Sequence, residues 1–356
     1  MTNVVINSTS EVRLYEDKII TQREENSFWW PLVGEVSDAN SIVYRPDEMY
    51  KNGRYWTVPL AKAVTTAALE DGDTYEGQGQ KSIISTTDIE VNERGQVFGG
   101  QDTFEEVKTI LNLRERHYQE AASWATWDFD YKAYSTVKLA LGSLPTKANR
   151  AASQYNVEYA GDAQSWDALT QDHKISGRGI SRMKKYMQKR GIRPARLPGG
   201  KMGYVLIVPT EATYTLRNED NDYKEALYSV LPRSQDHVLF AGNGFNPWGA
   251  WDGVLIVEDL RPVYASGSND TLLNTEYLTG YMKAQGIFLG AQALAYAAWS
   301  RLVWYERIWD HNRKFEISIS RMFGFAKPVI NLGTLDSATN RDYGVGYYNF
   351  TADRVD

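Results

Sequence analysis

The sequence contains no cysteine, which excludes disulfides, thiolate metal sites and a cysteine nucleophile along all 356 residues. Histidine is scarce too: the four histidines are scattered, and none has a second histidine or a carboxylate at a metal-ligand spacing such as HExxH. No GxSxG motif marks a serine nucleophile. We therefore predict no catalytic residues, no metal site and no cofactor.

Long apolar runs and a basic excess are missing as well. The longest apolar run, residues 286–299, is shorter than the roughly 20 residues that span a bilayer. The N-terminus lacks the basic-then-apolar pattern of a secretion signal. A net charge of −6 differs from the strong basic excess of dedicated nucleic-acid binders. We expect a soluble protein that contacts no membrane and binds nucleic acid only weakly.

A glycine-rich stretch, GDTYEGQGQKSII at residues 72–84, has the look of a phosphate-binding loop. A Walker loop, however, needs a glycine directly before its lysine and a helix directly after it. Here Gln80 precedes Lys81, and the following STTDIEV alternates apolar and polar side chains as a strand does. The preceding YWTVPLAKAV is also typical of a strand, with Pro59 at an edge or a bulge. Residues 55–100 are thus predicted to form a long hairpin with the glycine-rich stretch at its tip.

The pattern after the hairpin mixes helical and strand periodicity. An apolar stripe at helical spacing follows a capping box at Thr103 and Glu106 and predicts a long helix that reaches at least Trp127. Further helices are predicted at 131–141, 179–190 and 286–309 and within PTEATYTLRN and DYKEALYSVL, and further strands at 203–209, 253–259 and 314–330.

Aromatic and acidic residues leave two interpretations open. The 11 Trp, 23 Tyr and 11 Phe suit a core, a protein interface or a sugar-stacking surface equally well. Asp128 and Asp130 in WDFD could be the carboxylate pair of a glycosidase. They also lie where a helix break would need capping residues, and capping is the favoured interpretation.

Basic residues concentrate in one stretch, 174–190. Within it, Arg178, Arg182, Lys185 and Lys189 are candidates for a weak contact with a polyanion. The alternative is a solvated helix face balanced by the acidic remainder of the chain, because no aromatic or glycine-rich segment is interleaved with the basic residues.

Six segments together carry a family resemblance. In order, they are FWWPLVG, VYRPDEMYKNGRYWTVPL, YEGQGQK, GYVLIVPTEATYTLR, GIFLGAQALAYA and FGFAKPVI. They are similar to the corresponding segments of the major capsid proteins of tailed bacteriophages, in particular the podophages with a virion-packaged RNA polymerase and their prophage relatives. The resemblance covers residues 28–330 and implies an α+β chain with the tailed-phage major capsid fold.

The resemblance also implies how the chain is divided. The implied parts are an N-terminal arm at 1–48, an extended loop formed by the long hairpin at 49–100, a spine helix with the peripheral domain at 101–190, an axial domain at 191–300, a returning peripheral strand at 301–330 and a C-terminal tail at 331–356.

By the same resemblance, the chain is a structural protein and not an enzyme. It would assemble through pentamers and hexamers into an icosahedral shell around phage double-stranded DNA, in the virion capsid and, during assembly, in the host cytoplasm. Its partners would be its own copies, a scaffolding protein, a portal, decoration proteins and, weakly, the packaged DNA. The alternatives are a glycan-binding or glycan-cleaving protein and a non-capsid structural protein of the virion.

The hairpin is the predicted assembly device, because a two-stranded hairpin cannot bury both of its own faces and must lie on a neighbour. Replacing residues 72–92 with a short turn is therefore expected to spare the subunit fold and prevent shell closure. The predicted contacts between subunits are Phe28, Trp29, Trp30, Gly72, Tyr75, Glu76, Gly77, Gly79 and Lys81.

Overall fold

The computed structural model describes most of the chain. The described residues are 18–22, 27–47, 51–61, 84–102, 113–197, 200–223, 247–258, 275–299, 302–309, 314–331 and 340–353. Within them, the helices longer than two turns are α1 (Leu113–Val137), α2 (Gly177–Lys189) and α3 (Thr210–Glu219).

Helix α1 is the long helix predicted from the apolar stripe, and it continues through WDFD without the expected break. Its buried positions include Tyr118, Ala121, Ala125 and Phe129, which recur at steps of three and four residues and so lie on one face. The small alanines let the helix lie close to the sheet beneath it. The predicted start of this helix lies outside the described residues.

Helices α2 and α3 also follow the predicted pattern. Ser176 caps α2 by accepting a hydrogen bond from the Gly179 N–H, and the helix buries Ile180, Met183 and Met187 on one face. Helix α3 forms within PTEATYTLRN, as predicted. The helix predicted within DYKEALYSVL lies almost entirely outside the described residues.

The described strands, in chain order, are β1 Val33–Val36, β2 Val43–Arg45, β3 Lys51–Asn52, β4 Tyr55–Ala61, β5 Ile84–Glu90, β6 Asn92–Asp102, β7 Val157–Tyr159, β8 Ala195–Arg196, β9 Met202–Val208, β10 Pro247–Trp251, β11 Val254–Glu258, β12 Thr275–Tyr277, β13 Tyr281–Leu289, β14 Leu294–Ala298, β15 Val303–Trp309, β16 Lys314–Ala326, β17 Val329–Asn331, β18 Asn340–Asp342 and β19 Val345–Asp353.

The first sheet has the strand order β1-β2-β14-β16-β15, and β6 also pairs with β16. Strand β16 is the long strand predicted near the C-terminus, and its alternating residues face opposite sides. Ile317 and Ile319 pack under α1 with Tyr118 and Ala121, so α1 covers one side of this sheet. The first sheet with α1 forms one layer of the subunit.

The second sheet has the order β10-β11-β9-β13-β19-β7, with β12 added to β13 and β8 to β9. Its central strands are buried on both faces, which explains why β9 and β11 read as continuous apolar runs. Helices α2 and α3 pack on one face around Ile180, Met183 and Leu216. The other face joins a core shared with α1 and the first sheet.

Residues 286–309 are not helical, which corrects the prediction. They form the end of β13, then β14 and all of β15, with Gln292 at φ 54° in the turn between β13 and β14. β13 and β14 are central in their sheets, and residues 286–297 are buried, so this part of the sequence is a nearly unbroken run of small and apolar residues. Such a run carries no period that distinguishes a buried strand from a buried helix.

Three predicted domain boundaries need correction. In the predicted arm at 1–48, β1 and β2 belong to the first sheet, because β2 pairs with β14. In the predicted tail at 331–356, β19 lies inside the second sheet between β13 and β7. Helix α2, assigned to the part at 101–190, packs on the second sheet with residues of the part at 191–300.

Candidate assembly surfaces

The N-terminal segment is anchored to α1 of its own subunit. The carboxylate of Asp130 accepts hydrogen bonds from the Ser27 hydroxyl at 2.7 Å, from the Phe28 N–H at 3.1 Å and from the Trp29 N–H at 3.2 Å. The rings of Phe28 and Trp29 pack on Tyr134, with centroids 5.8 and 5.1 Å away. Helix α1 thus provides both the hydrogen-bond acceptor, Asp130, and the aromatic ring, Tyr134, that hold this segment.

This geometry corrects the prediction that Phe28 and Trp29 contact a neighbouring subunit. Phe28 is 8% exposed and Trp29 is fully buried in the core of their own subunit. Trp30 is half-buried and packs edge-on against Phe129 and Tyr296. The aromatic cluster anchors the N-terminal segment to the core of its own subunit.

The paired acids of WDFD have structural partners. The guanidinium of Arg94 binds the carboxylate of Asp128 with Nε at 2.9 and 2.8 Å from its two oxygens, and a further bond from Nη2 completes the pair. Hydrogen bonding to Asp128 raises the pKa of Arg94. Asp130 caps the turn at residues 27–32 rather than a break in its own helix. Both carboxylates are therefore engaged, and nothing in their geometry resembles a glycosidase pair.

The described part of the predicted hairpin rests on its own subunit. Strands β4 and β5 pair antiparallel from Tyr55 and Glu90 to Ala61 and Ile84, as the sequence predicts. The predicted hairpin at 55–100 is too long, however, because residues 92–100 belong to β6, which pairs with β16 of the first sheet. One face of this pair is buried against the first sheet, with Trp56, Val58 and Ile89 in a cluster with Ala295 and Ala297. Among the strands that the structure describes, only β5 pairs with β4 at Pro59, which fits the edge position expected for a proline.

Gly324 of β16 fixes how closely the hairpin approaches the sheet. A Cβ atom at this position would lie 2.1 Å from the carbonyl oxygen of Glu90 and 3.3 Å from a methyl group of Ile89. No neighbouring flexible side-chain end could move aside, because the nearest obstacle is backbone. Glycine is therefore required for the hairpin to pack here.

We predict that Gly324→Ala destabilises the subunit by about 1–3 kcal/mol, the usual cost of overpacking a well-packed site. Urea unfolding of the full chain measures this change. Gly142→Ala is the matched control, because a Cβ there meets nothing within 4 Å. Equal midpoints for the two variants would show that the hairpin does not depend on this close approach.

The remaining predicted contact residues lie outside the described residues. These are Gly72, Tyr75, Glu76, Gly77, Gly79 and Lys81, all within the connection between β4 and β5. Because Ala61 and Ile84 are register partners, the connection at 62–83 leaves and returns at the same point of the subunit.

An exposed apolar surface lies beside the hairpin on the first sheet, and we call it the sheet patch. Along β16, Ser318 and Ser320 point away from α1, since they alternate with the buried Ile317 and Ile319. The sheet patch consists of these serines, Val97 of β6, Val303 and Tyr305 of β15, and Met322 of β16. Val97 is 58% exposed and Tyr305 61% exposed.

Sequence reasoning missed the sheet patch because residues 286–309 were assigned to a helix. The period of two in VWYE was available in the sequence, since the buried Trp304 separates the exposed Val303 and Tyr305. Gly324 and Ala326 continue the same side of β16, and there the hairpin covers it. Among the described residues, the hairpin covers one half of this sheet face, and Val97, Val303 and Tyr305 on the other half are exposed.

A second exposed aromatic surface lies on α1, and we call it the helix patch. Trp127 and Tyr131, one turn apart, stack with ring centroids 5.0 Å apart and an interplanar angle of 17°. Both rings are exposed, on the side of α1 away from the buried Ala125 and Phe129. Since α1 covers the other side of the first sheet, the helix patch and the sheet patch face opposite directions.

The basic candidates lie together on α2. Arg178, Arg182, Lys185 and Lys189 are all exposed, and their steps of four, three and four residues place them on one stripe of the helix. The sequence predicted the helix and named these four residues, and the structure adds that they share one face. Their contact with a polyanion stays a prediction.

Other kinds of site find no support in the described part of the chain. His117 contacts Glu120, and His173 lies between Asp162 and Thr170. His237 and His311 are outside the described residues. The described residues contain no group of three or more His, Cys, Asp or Glu side chains that could hold a metal ion. None of their helices is long and apolar enough to cross a membrane.

A family model described as phage capsid protein matches residues 3–347. The major capsid protein of Pseudomonas phage KPP25 is 23% identical in an alignment 343 positions long, which covers 87% of this chain and 87% of that protein.

Solved structures show the same fold. The capsid chain of Ralstonia phage GP4 aligns with a TM-score of 0.71 at 16% identity, and the capsid chain of cyanophage Pam1 with 0.67 at 14%, each over 93% of both chains. The acid-stable capsid of the Helicobacter pylori bacteriophage KHP30 aligns with a TM-score of 0.65 at 13% identity, over 92% of this chain and 91% of that chain. At these identities the likeness concerns the fold.

Proposed function

Since the chain belongs to the phage capsid protein family, we propose that it is the major capsid protein of its phage and that its copies build the shell of the virion. Its α+β fold is that of tailed-phage capsids, as the sequence predicts. We propose that rings of five and six copies assemble in the host cytoplasm into an icosahedral shell. In the virion, this shell would enclose double-stranded DNA.

The observation that best supports self-assembly is the pair of exposed apolar surfaces on opposite sides of one layer. The sheet patch and the helix patch each expose large apolar side chains that a solitary subunit would leave in water. Exposed apolar patches of this kind mark interaction surfaces. In a capsid protein, other copies of the same chain can bind to both surfaces.

The opposite directions of the sheet patch and the helix patch also indicate the symmetry of the contacts between subunits. A two-fold contact uses the same surface on both partners and stops at a dimer. Two different surfaces that meet on successive copies give a head-to-tail contact, which continues into a ring when the rotation closes. Surfaces on opposite sides of the layer suit the second arrangement. Several such contacts per subunit make a closed shell far more stable than a pair.

The connection at 62–83 is the third proposed contact. It carries Gly72, Gly77 and Gly79, which permit close approach to a neighbour, and the charged Glu76 and Lys81, which discourage unspecific pairing of an exposed edge. With the hairpin base packed on its own subunit, we propose that Tyr75 and these residues reach a neighbouring copy.

Further partners belong to the same proposal. A shell that holds DNA requires an entry vertex and control of its size, so we propose a portal and a scaffolding protein as partners, together with decoration proteins on the outer surface. We propose no enzymatic role. The engagement of Asp128 by Arg94 and of Asp130 by residues 27–29 argues against the glycosidase alternative.

Tyr305→Lys tests the proposal at the sheet patch. The substitution adds a charge to a surface that assembly would bury, so we expect the number of closed particles to fall at least tenfold while the melting temperature stays near that of the unchanged chain. Negative-stain electron microscopy and thermal melting measure the two effects. Tyr214→Lys on α3 is the control, because Tyr214 is also exposed but lies outside both patches. Normal shells from Tyr305→Lys would refute the role of the sheet patch. The proposed function as a whole would be refuted if the unchanged chain formed no shell under any condition.

A further inference from the structure

The exposed stripe of α2 has an unusual charge composition for a helix. The segment from Gly177 to Arg190 contains six arginines and lysines and no aspartate or glutamate. Arg178 and Arg182 are one turn apart, as are Lys185 and Lys189, so like charges are neighbours along the stripe. Arg178 also lies in the first turn, where the helix dipole disfavours a cation. The arrangement costs helix stability, which points to a partner outside the helix.

Two other cations of this segment are occupied within the subunit. Lys184 donates to the Asp252 carboxylate at 2.9 Å and also to the Asp252 carbonyl. Arg190 donates to Asn156 Oδ1 and to the carbonyls of Ala151 and Ser153. These cations have internal structural roles and are not part of the stripe.

Among the described residues, only Arg178 of the stripe has a carboxylate partner, and that ion pair is exposed. Arg178 lies 3.4 Å from Asp222, with both side chains largely exposed, a geometry that contributes little. Arg182 donates to the Gly161 carbonyl at 2.7 Å. No ion pair or side-chain hydrogen bond within the described residues involves Lys185 or Lys189. The stripe therefore presents charge that the subunit itself leaves largely uncompensated.

Further positive charge lies beside the stripe. Lys147 donates to the same Gly161 carbonyl at 3.2 Å, so its amine lies next to the Arg182 guanidinium. Burial and the charges of Arg182 and Arg150 lower the pKa of Lys147, which reflects how closely the cations gather here. Arg150 lies over the Tyr186 ring of α2 at 4.6 Å, and its guanidinium also pairs with the buried carboxylate of Glu158, which offsets part of this charge.

The composition of this face distinguishes between possible partners. None of the large apolar side chains exposed in the described part of the chain belongs to α2. Protein interfaces depend on apolar and aromatic anchors and are depleted in lysine. A regular row of cations without such anchors instead matches the phosphate backbone of a nucleic acid, which is bound through charge alone.

We propose that Arg178, Arg182, Lys185 and Lys189 form a sequence-independent contact with the phosphates of duplex DNA, the polymer that the proposed shell would enclose. The inference rests on the proposed function for the source of the DNA. The stripe extends about 16 Å along the helix axis, and duplex DNA presents one phosphate for about every 1.7 Å of its own axis. Each of the four cations can thus reach a phosphate without any particular sequence.

A salt titration tests this contact on the full chain. Four phosphate contacts predict a slope of about −3.6 for log K against log salt, so raising salt fourfold from 50 mM weakens binding about 150-fold. Fluorescence anisotropy with two labelled duplexes of unrelated sequence measures both affinity and slope. Lys185→Gln with Lys189→Gln should reduce the slope by about 1.8 for both duplexes.

The matched control is Lys201→Gln with Arg217→Gln, which removes the same charge from exposed positions outside α2 and should leave the slope unchanged. Equal slopes for the stripe variant and the unchanged chain would overturn the proposal. So would binding of the stripe to polyglutamate with no binding to DNA, which would indicate an acidic protein partner. Electron microscopy of the stripe variant should still show shells, so a failure of this inference and a failure of the proposed function are distinguishable.

Discussion

A chain in which residues 62–83 are replaced by a short glycine-containing turn is expected to fold normally and to form no closed shells. Ala61 and Ile84 are register partners, so a turn of two to four residues can join β4 to β5 without moving either strand. Shortening a loop changes the closure cost by only about 0.6 kcal/mol for each halving of its length. The replacement removes the proposed contact with a neighbour while it keeps Trp56, Val58 and Ile89 in the core.

The bounds of this replacement matter. The wider replacement of residues 72–92, which the sequence alone suggests, would delete β5 together with the buried Ile89 and Val91. It would also remove the contact at Gly324, so a failure to assemble would follow from a damaged fold. That wider variant is the useful comparison, because it should lower the melting temperature whereas the 62–83 variant should not.

Circular dichroism, thermal melting and electron microscopy of the 62–83 variant decide the outcome. We expect a melting temperature within a few degrees of the unchanged chain and no closed particles. Normal shells from this variant would contradict the assembly role of the connection. A large drop in the melting temperature would show that the connection at 62–83 is needed for the fold of the subunit itself.

Elements with a clear local period could be predicted from the sequence. Helix α2 buries Ile180, Met183 and Met187 at helical spacing, and β16 alternates along its length, so each carries its own register. The concentration of basic residues in this helix was also visible in the sequence, but their arrangement as one stripe was not part of the prediction. These features depend on the spacing of residues within a single helix or strand, and this spacing is visible in the sequence.

Features that depend on distant partners could not be predicted. Residues 286–297 are buried in two different sheets, and the small and apolar side chains at nearly every position hide the change from strand to turn to strand. The place of β19 between β13 and β7 depends on pairing across the whole chain. The sheet patch became visible only when β15, β16 and β6 were side by side. The fold thus decides which faces are left open.

The N-terminal anchor gives the largest expected effect on stability. Trp29→Ala removes a fully buried indole that packs on Tyr134, and we expect a loss of about 3–5 kcal/mol in the free energy of unfolding. Asp130→Ala should act in the same direction, because it leaves the N–H groups of Phe28 and Trp29 buried without their acceptor. Urea unfolding of each variant, followed by tryptophan fluorescence and circular dichroism, measures both changes.

Trp127→Ala is the matched control, since it makes the same chemical change on an exposed ring of α1. We expect it to cost less than about 1 kcal/mol, as surface substitutions usually do, but to reduce shell formation, because the helix patch is a proposed contact. The two tryptophans therefore separate stability from assembly. Trp29→Ala should lower the urea midpoint and lose shells only through unfolding, whereas Trp127→Ala should lose shells at an unchanged midpoint. If the Trp29→Ala chain had normal stability but formed no shells, Trp29 would contact a neighbouring subunit, as the sequence alone suggested.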